Sequence, residues 1–270
     1  MSHYIFSTNH QIEEQRLDIL NRSCNENTLN YLTSYIRPGM KVLECGFGHG
    51  QISDEINKIP NIKYLGFEND IYRMHLKCEK NKFTYGDLLN LEDIKELKRK
   101  KFDVIYMRWI LAYLPQFKVS EVLKDLHQRL KKGGKLILEE CDLYSAYLTK
   151  NGEKINIPIF DRWIDLSRLV QTMINSCNFR MGSELPEIVA ETFKKTDIMY
   201  SDFQPVLKGR DKEIITLGLK SSAKSLIEKR IITENEIIEM ISNIEYAIIN
   251  NDDIDLHYVK NTNCVISKED

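Results

Sequence analysis

The sequence predicts an α/β fold, a doubly wound and mostly parallel seven-stranded sheet, on three observations. Lys41-Val-Leu-Glu-Cys-Gly-Phe-Gly-His-Gly50 passes from apolar residues through an acid into glycines at every second position. That is how a buried parallel strand turns sharply into a helix beneath a ligand. From there to Glu140, apolar strand-like runs alternate with helical patterns, as in βαβ units with right-handed crossovers. Beyond residue 194, Asp197–Phe203 and a run from Leu256 to Ile266 supply the last two strands.

Taken in order, residues 12–22 carry apolar side chains at 12, 17, 19 and 20 between charges and predict a helix lying over the core as a flap. A second helix is expected over 26–36, ended by Pro38-Gly39. The first strand is Lys41–Cys45, and a helix from Gln51 to Asn57 aims its first N–H groups at the glycine turn. Pro60-Asn61 breaks the chain before a second strand, 62–67, ending at Glu68. A helix over 70–81, a short strand 83–85, a charged helix over 91–100 and a strand 102–107 follow. A helix over 120–130, the turn Lys132-Gly133-Gly134 and a strand 135–140 complete the alternation.

From Tyr144 the rhythm changes. Helices are expected over 159–178 and up to about Phe193, then over 212–229 and 234–249. Thr233 with Glu236 forms a capping box at the last, and Ile232 with Ile237 a hydrophobic staple. The closing strand carries an irregularity at Asn261–Asn263. The chain divides accordingly: a helical flap at 1–38, a core at 39–142, a lid insertion at 143–193, and C-terminal strands at 194–270 with a helical insertion at 211–250, all within one domain.

Composition narrows the function. With 270 residues, 42% hydrophobic and 29% charged, the chain can bury a large core, and a net charge of −2 gives no general attraction to nucleic acid or anionic membrane. The basic run Lys95–Lys101 reads as a solvated helix face. The six cysteines show no metal-ligand spacing and read as buried thiols in a reducing compartment. No stretch approaches the ~20 apolar residues of a membrane span and no signal peptide is evident, so a soluble, cytoplasmic protein without a metal is expected.

The glycine turn is not a dinucleotide loop, because Gln51 stands where the third glycine of G-x-G-x-x-G belongs. It is not a phosphate-gripping loop either, for want of G-x-x-x-x-G-K. Three stations instead line up at successive strand ends: the turn at 46–50, Glu68, and Gly86-Asp87. An acid about 20 positions after a glycine turn is placed to accept hydrogen bonds from ribose hydroxyls. Asp87 could accept from an exocyclic amine, or could simply cap the following helix.

These residues are similar to the motifs of class I S-adenosylmethionine-dependent methyltransferases. Val42–Gly50 resembles their first motif, Gly66-Phe67-Glu68 the ribose motif, and Tyr85-Gly86-Asp87-Leu88 the adenine motif. Phe102–Leu114 resembles the fourth motif of small-molecule members, and Leu130–Glu139 the motif that leads into the next strand. Glu14-x-Arg16-Leu17 and Gly182-x-Glu-Leu-Pro186 resemble segments that close over the acceptor in small-molecule members. The resemblance implies S-adenosyl-L-methionine as cofactor. Gly46, Phe47, Gly48, His49 and Gly50 would cradle it, Glu44 would orient its ammonium, and Glu68 with Asn69 would hold the ribose. Gly86, Asp87 and Leu88 would frame the adenine, with Arg108 and Arg16 near the methionine part.

A histidine frequent near the end of the fourth motif is replaced here by Tyr113, so no catalytic base carries over; Tyr113 and His127 stand as candidates. There is no Asn-Pro-Pro-Tyr motif of the kind found in methyltransferases of DNA adenine or protein glutamine. Trp109, Tyr113, Tyr144, Tyr147 and Trp163 are expected to build an aromatic chamber for a small-molecule acceptor. A protein or RNA methyltransferase, and a cofactor-binding protein without turnover, are the alternatives. Neither the acceptor atom nor the oligomeric state is legible.

Overall fold

The computed structural model of the protein describes residues 10–71, 73, 82–173, 178–194 and 196–269. Its main sheet has seven strands in the order β3-β2-β1-β4-β5-β11-β8. These are β1 (Lys41–Cys45), β2 (Lys63–Glu68), β3 (Phe83–Tyr85), β4 (Phe102–Arg108), β5 (Leu130–Asp142), β8 (Ile198–Phe203) and β11 (Lys260–Ser267). Pairing is parallel from β3 to β5, and β11 runs antiparallel to both β5 and β8. The order reverses between β1 and β4, the position at which such sheets open a crevice for ligands beyond the strands' carboxyl ends.

Alternating side chains serve two layers. Leu136 and Leu138 of β5 join one apolar cluster and Ile137 the other. Helices α2 (Gln51–Asn57), α3 (Val119–Gln128), α4 (Pro158–Met173) and α5 (Met181–Thr192) follow the expected pattern, as do α6 (Ile214–Glu228) and α7 (Glu234–Ile244). The capping box at Thr233 and Glu236 is present in both its bonds. The helix expected over 70–81 lies largely outside the described residues, as do residues 174–177 at the end of the one expected over 159–178.

Several elements differ from expectation for identifiable reasons. The two N-terminal helices are one, α1 (His10–Thr33). The polar stretch that suggested a break is a binding face, where Asn21, Asn25 and Thr28 receive the Arg108 guanidinium. The charged helix is replaced by 3-10 turns at Leu88–Asp93 and Lys95–Leu97. Its buried residues Leu88, Leu91, Ile94 and Leu97 recur every third position, the 3-10 period. Strand β5 takes in Gly133-Gly134 and reaches Asp142. The closing strand is interrupted at Tyr258-Val259, and Asn261–Asn263 sits in regular register within β11.

That interruption separates two sheets. β6 (Tyr147–Lys150), β7 (Glu153–Ile155), β9 (Val206–Leu207) and β10 (Ile254–His257) form a second, antiparallel sheet in the order β7-β6-β10-β9, which no periodicity announced. Its local signal is Asn151-Gly152, both left-handed at φ 52° and 83°, the pairing that turns a two-residue hairpin. Phe160, Trp163, Leu256 and the apolar faces of α6 and α7 build its core, which also takes Ile19, Leu20 and Cys24 of α1. Further along α1, Leu32 packs on the main sheet, so the helix straps the two layers together.

Helix α5 presses on β5 at Gly182. A Cβ there would lie 2.6 Å from the Cys141 carbonyl carbon and 2.9 Å from both Asp142 N and Glu140 O, all backbone atoms that cannot turn aside. Gly182→Ala is therefore expected to lose about 1–3 kcal/mol by overpacking, more than the roughly 1 kcal/mol that alanine returns in helix propensity. Urea unfolding reads this directly, and an unchanged midpoint would show that α5 can shift at no cost.

Candidate functional site

A cavity of about 430 Å³ opens at the carboxyl ends of β1, β2, β4 and β5, with α1 as one wall and the linker Tyr258-Val259 as another. The glycine turn makes its floor. Gly46, Gly48 and Gly50 have φ of 67°, 56° and 73°, and a Cβ on Gly46 would collide with Ile110 Cδ1. The turn therefore needs glycine both for its conformation and for the close approach of Ile110. Beneath it Glu44 is buried and accepts from Ser53 Oγ at 3.0 Å and Tyr64 Oη at 2.7 Å, which ties β1 to α2 and β2.

Glu68 closes the turn from the neighbouring strand. Its Oε2 accepts from Gly48 N at 3.0 Å, and its Oε1 from Asn69 N at 2.9 Å and Asp70 N at 3.2 Å. A carboxylate offers about four lone-pair positions, so three backbone bonds leave one for a ligand hydroxyl. Asp87 caps the 3-10 turn by accepting from Leu89 N at 2.9 Å, and it also lines the cavity beside Gly86 and Leu88. Phe47 packs edge-on to Phe83 with ring centroids 4.8 Å apart. His49 Nε2 lies 2.9 Å from Glu14 Oε1, a contact from the turn to α1.

The cation side of the site is carried by α1 and β4. Arg16 is buried and bound by Glu13 through both carboxylate oxygens at 2.8 Å. Arg108 donates to Asn25 Oδ1 at 2.9 Å and to Thr28 Oγ1 and Asn21 Oδ1 at 3.2 Å. Thr28 and Tyr106 in turn donate to Glu139, at 2.9 and 3.1 Å. Burial pushes the Glu139 carboxyl up, and the Arg108 charge works against that rise. The network joins α1, β4 and β5 in one hydrogen-bonded layer below the cavity.

Every cofactor candidate named from the sequence lines this cavity, as do Trp109 and Tyr113. Trp109 is held in the left-handed region at φ 55°. Its N donates to Glu139 O at 2.8 Å, its Nε1 to Asn261 Oδ1 at 2.8 Å, and Arg108 stacks 4.1 Å from its ring centroid. So costly a backbone for a bulky residue, roughly 1–3 kcal/mol, persists only where the surroundings over-determine it.

The structure does not bring the other aromatic candidates to the cavity. Trp163 is in the core of the second sheet against Phe160, and Tyr147 stacks on His257 at 4.3 Å. Tyr144 donates to Gln171 Oε1 at 2.8 Å. The segment after Asp142 enters the second sheet at once, so its aromatics are used in that layer. His127 sits in the last turn of α3 beside Phe193 and Ser267, at the end of β5 opposite the cavity. In their place the cavity takes Leu143, Asn178, Phe179 and Tyr258, and from β5 Glu140 and Cys141. Only Glu140 had a sequence signal, an acid in phase with the apolar residues Leu136 and Leu138.

Among the described residues Cys24, Cys45, Cys141 and Cys264 are free thiols. Cys78 and Cys177 lie outside those residues. Among the described residues, no group of His, Cys, Asp and Glu could hold a metal ion, and no helix is long and apolar enough to cross a membrane.

Comparison with known proteins agrees with this layout. The profile of a family described as a methyltransferase domain matches residues 14–175. A carboxy-S-adenosyl-L-methionine synthase of Idiomarina loihiensis is 26% identical over 148 residues, 50% of this chain and 61% of its own. The ribosomal protein L11 methyltransferase of Thermosipho africanus is 33% identical over 109 residues, 40% of each chain. The chain thus spans less than two thirds of either curated relative. Among solved structures, the YcgJ protein of Bacillus subtilis superposes with a TM-score of 0.56 at 14% identity, covering 91% of this chain and 99% of that one. Coclaurine N-methyltransferase bound to N-methylheliamine and S-adenosylhomocysteine gives 0.52 at 15% identity, over 90% and 72%. At such identities the two structures speak for the fold alone.

Proposed function

The chain belongs to the methyltransferase domain family and has the fold of its class I S-adenosylmethionine-dependent members, and from that premise we propose that it transfers a methyl group from S-adenosylmethionine to a small-molecule acceptor. The observation that carries the reading is the convergence of the glycine turn, Glu68 and Asp87 on one cavity at the reversal of strand order. A cradle that a Cβ at Gly46 would fill fits a ligand lying flat against the backbone.

In this reading S-adenosylmethionine, when bound, supplies an electrophilic methyl group on a sulfonium. The chain's own residues bind, orient and exclude water. Glu68 holds the ribose hydroxyls, Asp87 and Leu88 frame the adenine, and Glu44 acts on the ammonium from below the turn. Arg16, with its guanidinium fixed by Glu13, holds the carboxylate from α1. Holding donor and acceptor in line can supply up to roughly 7–11 kcal/mol of the barrier, so the apolar wall of Trp109, Ile110, Leu114 and Phe179 contributes by positioning.

A small acceptor is supported by enclosure, since α1 and the Tyr258-Val259 linker wall the cavity on two sides. A protein acceptor is the second reading, raised by the likeness to a ribosomal protein methyltransferase. Incubation with methyl-labelled cofactor against a small-metabolite extract and a protein extract separates them, and label in the protein fraction alone would overturn the small-molecule reading. S-Adenosylhomocysteine is expected to raise the melting temperature of the protein and NAD to leave it unchanged. The reverse pattern would mean that the glycine turn serves a dinucleotide.

A further inference from the structure

Glu140 is completely buried, yet it lines the cavity. Its Oε1 accepts from Ile110 N and Leu111 N, both at 2.8 Å, while its Oε2 has no hydrogen-bond partner among the described residues. Native folds rarely leave a buried polar atom unpaired without a reason. Anchoring the turn at 110–111 needs only the one oxygen that is already used. A glutamine would do that without bringing a titratable group into the interior.

The position of Glu140 bears on the site. The same Ile110 whose N–H it holds packs its side chain against Gly46 of the glycine turn. Glu140 is therefore one residue removed from the place where the cofactor's methionine part is proposed to lie. The surrounding walls include Trp109, Tyr113, Phe179 and Tyr258. Aromatic faces with a carboxyl group among them suit an amine nitrogen, which the carboxyl accepts from and the rings attract when it is cationic. They disfavour a carboxylate or phosphate, which the same carboxyl would repel.

We propose that Glu140 Oε2 is the polar contact for the acceptor and that the acceptor nucleophile is the nitrogen of an aromatic or otherwise apolar amine. The inference rests on the methyltransferase reading and specifies its substrate class. The chemistry balances. The nitrogen lone pair forms the new C–N bond, sulfur keeps the pair of the broken S–C bond, and the surplus N–H proton passes to Oε2, leaving a neutral amine and a neutral carboxyl. Burial, reinforced by the neighbouring Glu139 charge, pushes the Glu140 carboxyl up to about 8, which suits a group that takes and returns a proton near neutrality.

The test is calorimetric and needs no turnover. The protein is saturated with S-adenosylhomocysteine and titrated with phenethylamine, and separately with 2-phenylethanol. The wild-type complex is expected to bind the amine at least tenfold more tightly than the alcohol. Glu140→Gln is expected to lose at least tenfold in amine affinity while its affinities for the alcohol and for S-adenosylhomocysteine stay within twofold. Equal affinities of the wild type for amine and alcohol, or no amine binding beside normal S-adenosylhomocysteine binding, overturns the inference and leaves the methyltransferase reading standing. Loss of S-adenosylhomocysteine binding in Glu140→Gln makes Glu140 an anchor of the turn and overturns it as well. Failure of the wild type to bind S-adenosylhomocysteine removes the reading and the inference together.

Discussion

Glu68→Ala is expected to lower the affinity for S-adenosylhomocysteine roughly 10–100-fold, the equivalent of about 1.5–3 kcal/mol for a hydrogen bond to a charged group. The loss has two sources. A ribose hydroxyl would lose its acceptor, and the N–H groups of Gly48, Asn69 and Asp70 would lose the carboxylate that fixes the turn and the end of β2. The two are separable, because the second also lowers the melting temperature of the unliganded protein. Calorimetric titration paired with thermal unfolding decides between them. Affinity preserved in a folded variant would remove the ribose assignment, and affinity lost only in proportion to stability would make Glu68 a staple of the turn and nothing more.

The second large effect is a dependence of stability on pH that belongs to Glu140. Burial raises its carboxyl in the folded protein from 4.5 to about 8. Between those values the folded protein holds a proton that the unfolded chain has released, so stability falls as pH rises through this window and levels off above the folded value. A shift of that size corresponds to a few kcal/mol at most, at 1.36 kcal/mol per pH unit. Glu140→Gln has no proton to lose at that position. Urea unfolding from pH 5 to 8.5 is therefore expected to show the wild type losing stability relative to the variant by a few kcal/mol across the range, whatever constant offset the amide introduces. Other titrating groups are common to both proteins and cancel in the difference. Parallel curves would show that Glu140 ionises in the folded state as readily as in water. A group that weakens the fold near neutrality and is nonetheless present in the cavity is what a stability and function trade-off leaves behind.

The sequence alone determined what depends on neighbours along the chain. The glycine turn, Glu68 and Gly86-Asp87 are each set by a strand's end, and once the βαβ alternation is read their convergence follows from topology. The capping box at Thr233 is equally local. Tertiary structure decided what depends on contacts between distant segments. The aromatics from 144 to 163 pointed to the acceptor by number and proximity. The pairing of β6 with β10, more than a hundred residues away, instead committed them to a second core. The polar run in α1 looked like a break until Arg108 was found donating into it. No pattern in the sequence signals the left-handed Trp109, because its conformation is imposed by Asn261 and Glu139 from other strands. Glu140 was visible as an acid in an apolar phase of β5. That one of its oxygens is held and the other is not depends on where residues 110–111 come to lie, a matter of packing that sequence periodicity does not encode.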